Sequence, residues 1–112
     1  MKLPNAQLAI VEREKITEYL LNREHADNGG KADFFLALGF SPREWEAMAE
    51  ALRQVAMLAE VSRRVESPHG KKYIVDGEIE TPRGKSPKVR TVWIVDTGDS
   101  IARLVTAYPH ED

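Results

Sequence analysis

Apolar residues follow two rhythms along the chain, and the change falls near residue 60. Trp45, Met48, Leu52, Val55 and Ala59 recur at spacings of three and four, which is one buried stripe on a helix. The stretch "SPREWEAMAEALRQVAMLAE" opens with Ser41 and Glu44 in an S-x-x-E capping box and with Pro42 at the first helical position. This helix therefore reaches to about Glu60. Upstream, Ile16, Tyr19 and Leu20 mark one side of a first helix over about Glu12 to Leu21. "KADFFLALGF" reads as a short helix with Phe34, Phe35 and Leu38 inward, stopped at Gly39 because glycine enters a left-handed cap at little cost. Between them "NREHADNGG" is rich in breakers and reads as loop.

Beyond residue 60 the period falls to two. "EVSRRVES" alternates weakly and suits an edge strand, and "SPHG" is a turn. "KKYIVDGEIE" alternates clearly, with Tyr73, Val75, Gly77 and Ile79 on one face and Lys72, Ile74, Asp76 and Glu78 on the other. "KVRTVWIV" and "ARLVTAY" are the last two strands. The fold class is α+β: about three N-terminal helices on one face of a four-stranded antiparallel meander. Residues 1–112 form a single domain, helical over about 1–60 and sheet over about 61–109.

Pairing the last two strands around a five-residue loop, Asp96 to Ser100, sets Arg90 opposite Thr106 and Lys88 opposite Tyr108. Val89, Thr91, Trp93 and Val95 then lie beside Ile101, Arg103, Val105 and Ala107 on the face the helices cover. Lys88, Arg90, Val92 and Ile94 lie beside Ala102, Leu104, Thr106 and Tyr108 on the open one. Lys88, Arg90, Thr106 and Tyr108 gather at one end of that open face, a shallow surface suited to phosphate. A slip of one residue would regroup them. Cross-strand Thr and Arg are also ordinary on a solvated sheet.

Composition narrows the function classes. Hydrophobic residues at 42% and charged residues at 30% suit a soluble domain with one modest core. No apolar run approaches the ~20 residues of a membrane span, and the start lacks a signal-peptide pattern. The expectation is a cytoplasmic protein with no membrane partner. The absence of cysteine removes disulfides, thiolate metal sites and cysteine nucleophiles. The net charge of −2 is uneven: residues 1–60 hold seven Lys/Arg against ten Asp/Glu, and residues 61–108 hold nine against six.

Two short stretches carry candidate chemistry. In "EHADNGGK", His25 and Asp27 are too few to make a metal site, and no metal or other cofactor is called for. Gly29, Gly30 and Lys31 precede a helix but match no P-loop, since the first glycine and the hydroxyl residue are missing. His25 can move a proton near neutrality, and Lys31 beside it can stabilise a phosphorane. In "SPHGKKY", His69, Lys71 and Lys72 sit on a turn that could meet phosphate, but a solvated turn is the favoured reading. No nucleophile–base–orienter set is evident.

The chain resembles a small bacterial family of unknown function. The resemblance rests on "KLPNA", "KITEYLLN", His25 with "GGKADFFLALGF", "KYIVDGEIETPRG" and "VRTVWIVDTG" with "ARLVTAYP". The order of helices then four strands, with terminal "RLVTAYP", is also similar to the barnase–EndoU–colicin–RelE group of ribonuclease toxin domains. That likeness implies metal-independent RNA cleavage, with RNA as substrate and a cognate immunity or antitoxin protein as partner. It implies His25 as base or acid, Lys31 and Arg90 at the scissile phosphate, and Thr106 and Tyr108 bonding phosphate or base. Lys88 and Lys72 would add phosphate contacts. The other reading is a non-catalytic binding or accessory module that uses the same sheet face or its edge.

Overall fold

The computed structural model describes residues 1–111. It contains helix α1 (Arg13–Lys15), which runs on as a π-wound turn over Ile16–Leu20, then α2 (Lys31–Ala37) and α3 (Trp45–Leu58). Four strands follow, β1 (Val61–Ser67), β2 (Gly70–Glu78), β3 (Lys88–Asp96) and β4 (Arg103–Pro109), in one antiparallel sheet of order β1-β2-β3-β4. The α+β architecture expected from the two rhythms is the one observed. α3 buries Met48, Ala49, Leu52, Val55 and Ala56 against the sheet. Ser41 caps its leading 3-10 turn by accepting the Glu44 N–H. Gly39 turns with a φ of 99° after α2, a conformation that costs an L side chain energy and glycine almost none.

The core lies between α3, α2, the π-wound turn and the inner sheet face. Trp93, Phe35, Ile16, Leu20, Leu52 and Leu104 are all essentially inaccessible, each contributing about 1.5–3 kcal/mol by leaving water. Gly77 is placed where α3 presses on β2: a Cβ there would lie 3.0 Å from the Ala59 side chain. The N-terminal segment was not legible as structure in the sequence. It forms a 3-10 turn at Ala6–Leu8 and then pairs Ile10 in parallel with Arg103, so it runs along the β4 edge.

The β3–β4 register differs from the expected one. Arg90 opposes Tyr108, and Val92 opposes Thr106. Lys88 lies beyond this pair, and its carbonyl accepts the His110 N–H at 3.2 Å. The cause is a longer connection together with a β-bulge, since the register shifts between Val92 and Trp93. An extra residue on one strand turns every side chain beyond it to the other face. Leu104, expected on the open face, is therefore buried opposite Trp93, and Arg103, expected under the helices, sits opposite Ile94 on the open side. There its guanidinium grips Asp96 through two bonds of 2.9 and 3.2 Å.

Candidate functional site

The polar residues of the last hairpin divide between packing and surface. Thr91 belongs to packing. Its hydroxyl donates to the Val75 carbonyl at 2.8 Å and accepts the Trp93 indole N–H at 2.8 Å, both within the core. Arg90 belongs to the open face. It donates to both Asp76 carboxylate oxygens, at 2.8 and 2.9 Å, and lies 3.2 Å from His110 Nε2. The pair holds the Asp76 carboxyl below its ordinary range and the Arg90 guanidinium above its own, through the hydrogen bonds first and then through charge, each against desolvation.

Thr106 shares the face of Tyr108, two residues along β4, and is engaged by the π-wound turn that follows α1. Its hydroxyl shares a 3.0 Å hydrogen bond with the Tyr19 phenol. Tyr19 stands on the π-wound turn, closed by the Leu21 N–H bonding back to the Ile16 carbonyl at 2.9 Å. Ile16 and Leu20 remain buried in that turn while Tyr19 is only half-buried. The His25 ring meets the Tyr19 ring edge-on, with centroids 5.0 Å apart. The Lys31 ammonium lies 5.5 Å from the Tyr19 ring centre and 5.9 Å from that of Tyr108, within cation–π range of both. Tyr19 is thus the hub that joins His25, Lys31 and Thr106. Its spacing matches that of Ile16 and Leu20, a pattern that marks core and hides this role.

The loop that holds His25 is tied down by Asn28, a buried residue that no pattern singled out. Its amide donates to the Tyr19 carbonyl at 2.6 Å, and its carbonyl oxygen accepts the Ala32 N–H at 2.8 Å. His25 Nδ1 accepts the Asp27 N–H at 3.1 Å. With Nδ1 accepting, the neutral ring carries its hydrogen on Nε2, which bonds no partner among the described residues. Lys31 donates to the Asp27 and Asn28 carbonyls, at 3.4 and 3.1 Å, so one of its three N–H groups is left for a ligand. Asp33, in the first turn of α2, is paired with Arg23.

Tyr19, His25 and Thr106 line a shallow cleft of about 830 Å³ at the β4 edge, together with Glu12, Glu14 and Glu18. Asp27 joins the lining, so carboxylates outnumber cations there. A smaller recess of about 370 Å³ adjoins Gly29, Gly30, Lys31, Tyr108 and Pro109. Of the expected site residues, His25 and Thr106 share the cleft, and Lys31 and Tyr108 share the recess. Arg90 lines neither and reaches the group only as the cross-strand neighbour of Tyr108. Lys88 flanks Asp76 and His110 in a separate crevice. Lys72, opposite Ile94, is two strands away from β4.

Helices on one face of an antiparallel meander define a small α+β domain, with an imidazole-bearing candidate cleft where the first helix meets the last strand. The chain belongs to the family described as a domain of unknown function (DUF6883), whose model matches residues 2–111. Among curated proteins no sequence matches it. Among solved structures it is similar to a chain of the contact-dependent growth inhibition toxin–immunity protein complex from Klebsiella pneumoniae 342. The two agree with a TM-score of 0.75 at 17% identity, over 96% of this chain and 97% of that one. At that identity the likeness is one of fold. No helix among the described residues is long and apolar enough to cross a membrane.

Proposed function

We propose that this domain is a toxin-type ribonuclease that cleaves RNA without a metal ion, through attack of a ribose 2′-OH on the adjacent phosphodiester. The observation that supports it best is the cleft itself. An imidazole with its Nε2 unengaged, a carboxylate on the neighbouring helix and a hydroxyl pair share one lining. The Glu18 carboxylate takes the 2′-OH proton as the 2′ oxygen bonds to phosphorus. The imidazolium form of His25, in which Nδ1 carries a hydrogen and releases the Asp27 N–H, gives its Nε2 proton to the 5′ oxygen as the P–O5′ bond breaks. The products are a 2′,3′-cyclic phosphate and a 5′-hydroxyl. The remaining Lys31 N–H and the Thr106–Tyr19 hydroxyls bond the phosphorane oxygens, and Tyr108 stacks a splayed base. Arg90, held by Asp76, supports Tyr108 rather than gripping phosphate.

The similar fold in a toxin–immunity complex adds a partner to this reading: an immunity protein that would cover the cleft. A second reading draws on the acidity of the lining. As a non-catalytic accessory module, the domain would use Glu12, Glu14, Glu18 and Asp27 to hold a basic segment of another protein.

Purified protein incubated with total RNA and excess chelator tests the first reading. Cleavage with cyclic-phosphate ends is expected, falling on the order of 10²–10⁴-fold in His25→Ala. No cleavage by concentrated wild-type protein, or equal cleavage by the variant, would defeat it.

A further inference from the structure

The cleft poses a charge problem for its proposed substrate. Its lining is acidic, whereas RNA affinity depends on cations that replace condensed counterions. The cations lie elsewhere, on the β1–β2 hairpin. Six of the seven β1 residues are exposed, including those on the side that the helices cover elsewhere in the sheet. β1 is also the outermost strand. Among the described residues, the one backbone bond it makes outside the hairpin runs from the Val61 N–H to the Met1 carbonyl.

The register distributes charge over both surfaces of this hairpin. Arg63 opposes Ile74, and Lys72 opposes Val65, so both cations stand on the open face. Arg64 opposes Tyr73, and Lys71 opposes Glu66, so those two stand on the helix side. All four cations are exposed. Glu66 is the single acidic residue within 61–72, and its contact with Lys71, at 3.9 Å between half-exposed groups, is weak. Arg63, Arg64 and Lys72 make no ion pair among the described residues. One or two charges suffice to keep an edge strand from pairing with a neighbour. Four of one sign, exposed on both faces of the hairpin's outer part, exceed that need and fit a polyanion.

We infer that the β1–β2 hairpin binds the phosphate backbone of an RNA whose scissile bond lies in the cleft at the opposite edge. The inference rests on the ribonuclease reading and names its substrate class: a strand of several nucleotides, not a dinucleotide. Three interstrand steps of ~4.8 Å separate β1 from β4, about 14 Å across the sheet. A stacked strand with one phosphate per ~3.4 Å covers that distance with about four nucleotides. The strand wraps the outer β1 edge, where Arg64 and Lys71 meet it on one side and Arg63 on the other, and then crosses the open face between Lys72 and Tyr108.

The test compares wild type with a triple variant, Arg63→Gln, Arg64→Gln and Lys71→Gln, with unchanged thermal midpoint as the folding control. Binding of a labelled single-stranded RNA is followed by anisotropy across salt concentration, with both proteins carrying His25→Ala. Cleavage by the His25 forms is measured on a long RNA and on a dinucleotide. The triple variant is expected to bind roughly tenfold or more weakly, with a log–log salt slope shallower by about 2 at ~0.7 per phosphate contact. Its kcat/KM is expected to fall on the long RNA through KM and to stay unchanged on the dinucleotide. An unchanged salt slope overturns the inference, as does a variant that loses binding to polyglutamate but not to RNA. A wild type that binds RNA through the hairpin yet cleaves neither substrate overturns the ribonuclease reading and leaves the binding surface standing.

Discussion

Replacing Thr91 by valine removes one hydroxyl from the centre of the sheet and leaves its shape nearly intact. Thr91 and Trp93 are both fully buried, so no water can take over the missing bonds. The hydroxyl is the acceptor for the Trp93 N–H and a donor to the Val75 carbonyl, each at 2.8 Å. A buried donor left without a partner costs about 1–3 kcal/mol, and the lost bond to the carbonyl adds to that. A total of about 2–3 kcal/mol is expected, a large share of the 5–15 kcal/mol typical of a domain. The thermal midpoint should fall by about 10 °C. Urea unfolding followed by far-ultraviolet circular dichroism measures the cost directly, and a double-mutant cycle with Trp93→Phe isolates the coupling. Removing both partners should cost at least about 1 kcal/mol less than the two single changes added together. A Thr91→Val protein within about 0.5 kcal/mol of wild type, or strict additivity in the cycle, would refute the claim that this hydroxyl is structural.

Gly70→Ala should destabilise far more than Gly84→Ala. A Cβ at Gly70 would sit 2.3 Å from the Val95 carbonyl oxygen, whereas at Gly84 it meets nothing within 4 Å. Gly84→Ala should then cost only its left-handed strain, about 1 kcal/mol, and equal midpoints in urea for the two would contradict the β2–β3 register. The Asp76–Arg90 pair gives a pH dependence of known sign. Arg90 holds the folded-state carboxyl below its ordinary 3.8, so the stability it supplies is complete above that value and lost as pH falls through the lower folded value. Arg90→Gln should flatten the stability profile below about pH 4; an identical acid limb in both proteins would remove the pair from the account.

The helical stripe, the Ser41 cap, the Gly39 stop and the four-strand order were legible because each rests on local chemistry that tertiary structure does not override. The site was less so. His25 and Thr106 were singled out from residue type, but their meeting runs through Tyr19, whose helical spacing matches that of Ile16 and Leu20 and reads as core. The π-wound turn that keeps those two buried and leaves Tyr19 toward β4 has no signature in periodicity. The hairpin pairing failed for a related reason: a bulge is one unpaired residue, and alternation on either side of it looks regular. Hence Arg90 met Tyr108 rather than Thr106, and Leu104 changed places with Arg103. Asn28, flanked by breakers, looked like loop filler. Its burial and its two bonds appear only when α1 and α2 are brought together.

The uneven charge along the sequence maps onto opposite edges of the sheet, and this constrains either reading of the cleft. A basic protein segment drawn to Glu12, Glu14, Glu18 and Asp27 gains nothing from the hairpin and is repelled if it extends across the open face. A polyanion meets the reverse pattern: it is held at Arg63, Arg64, Lys71 and Lys72 and repelled from the cleft except where Lys31, Tyr19 and Thr106 offer donors. Such an arrangement penalises bulk phosphate near the imidazole while admitting the one phosphodiester that those donors can bond. The carboxylates then act on selectivity as well as proton transfer, because free anions and short fragments lack the distant contacts that offset the local repulsion. Acidity around His25 is therefore compatible with an RNA substrate only if the substrate is long enough to reach the far edge, which ties the chemistry proposed for β4 to the charge carried by β1.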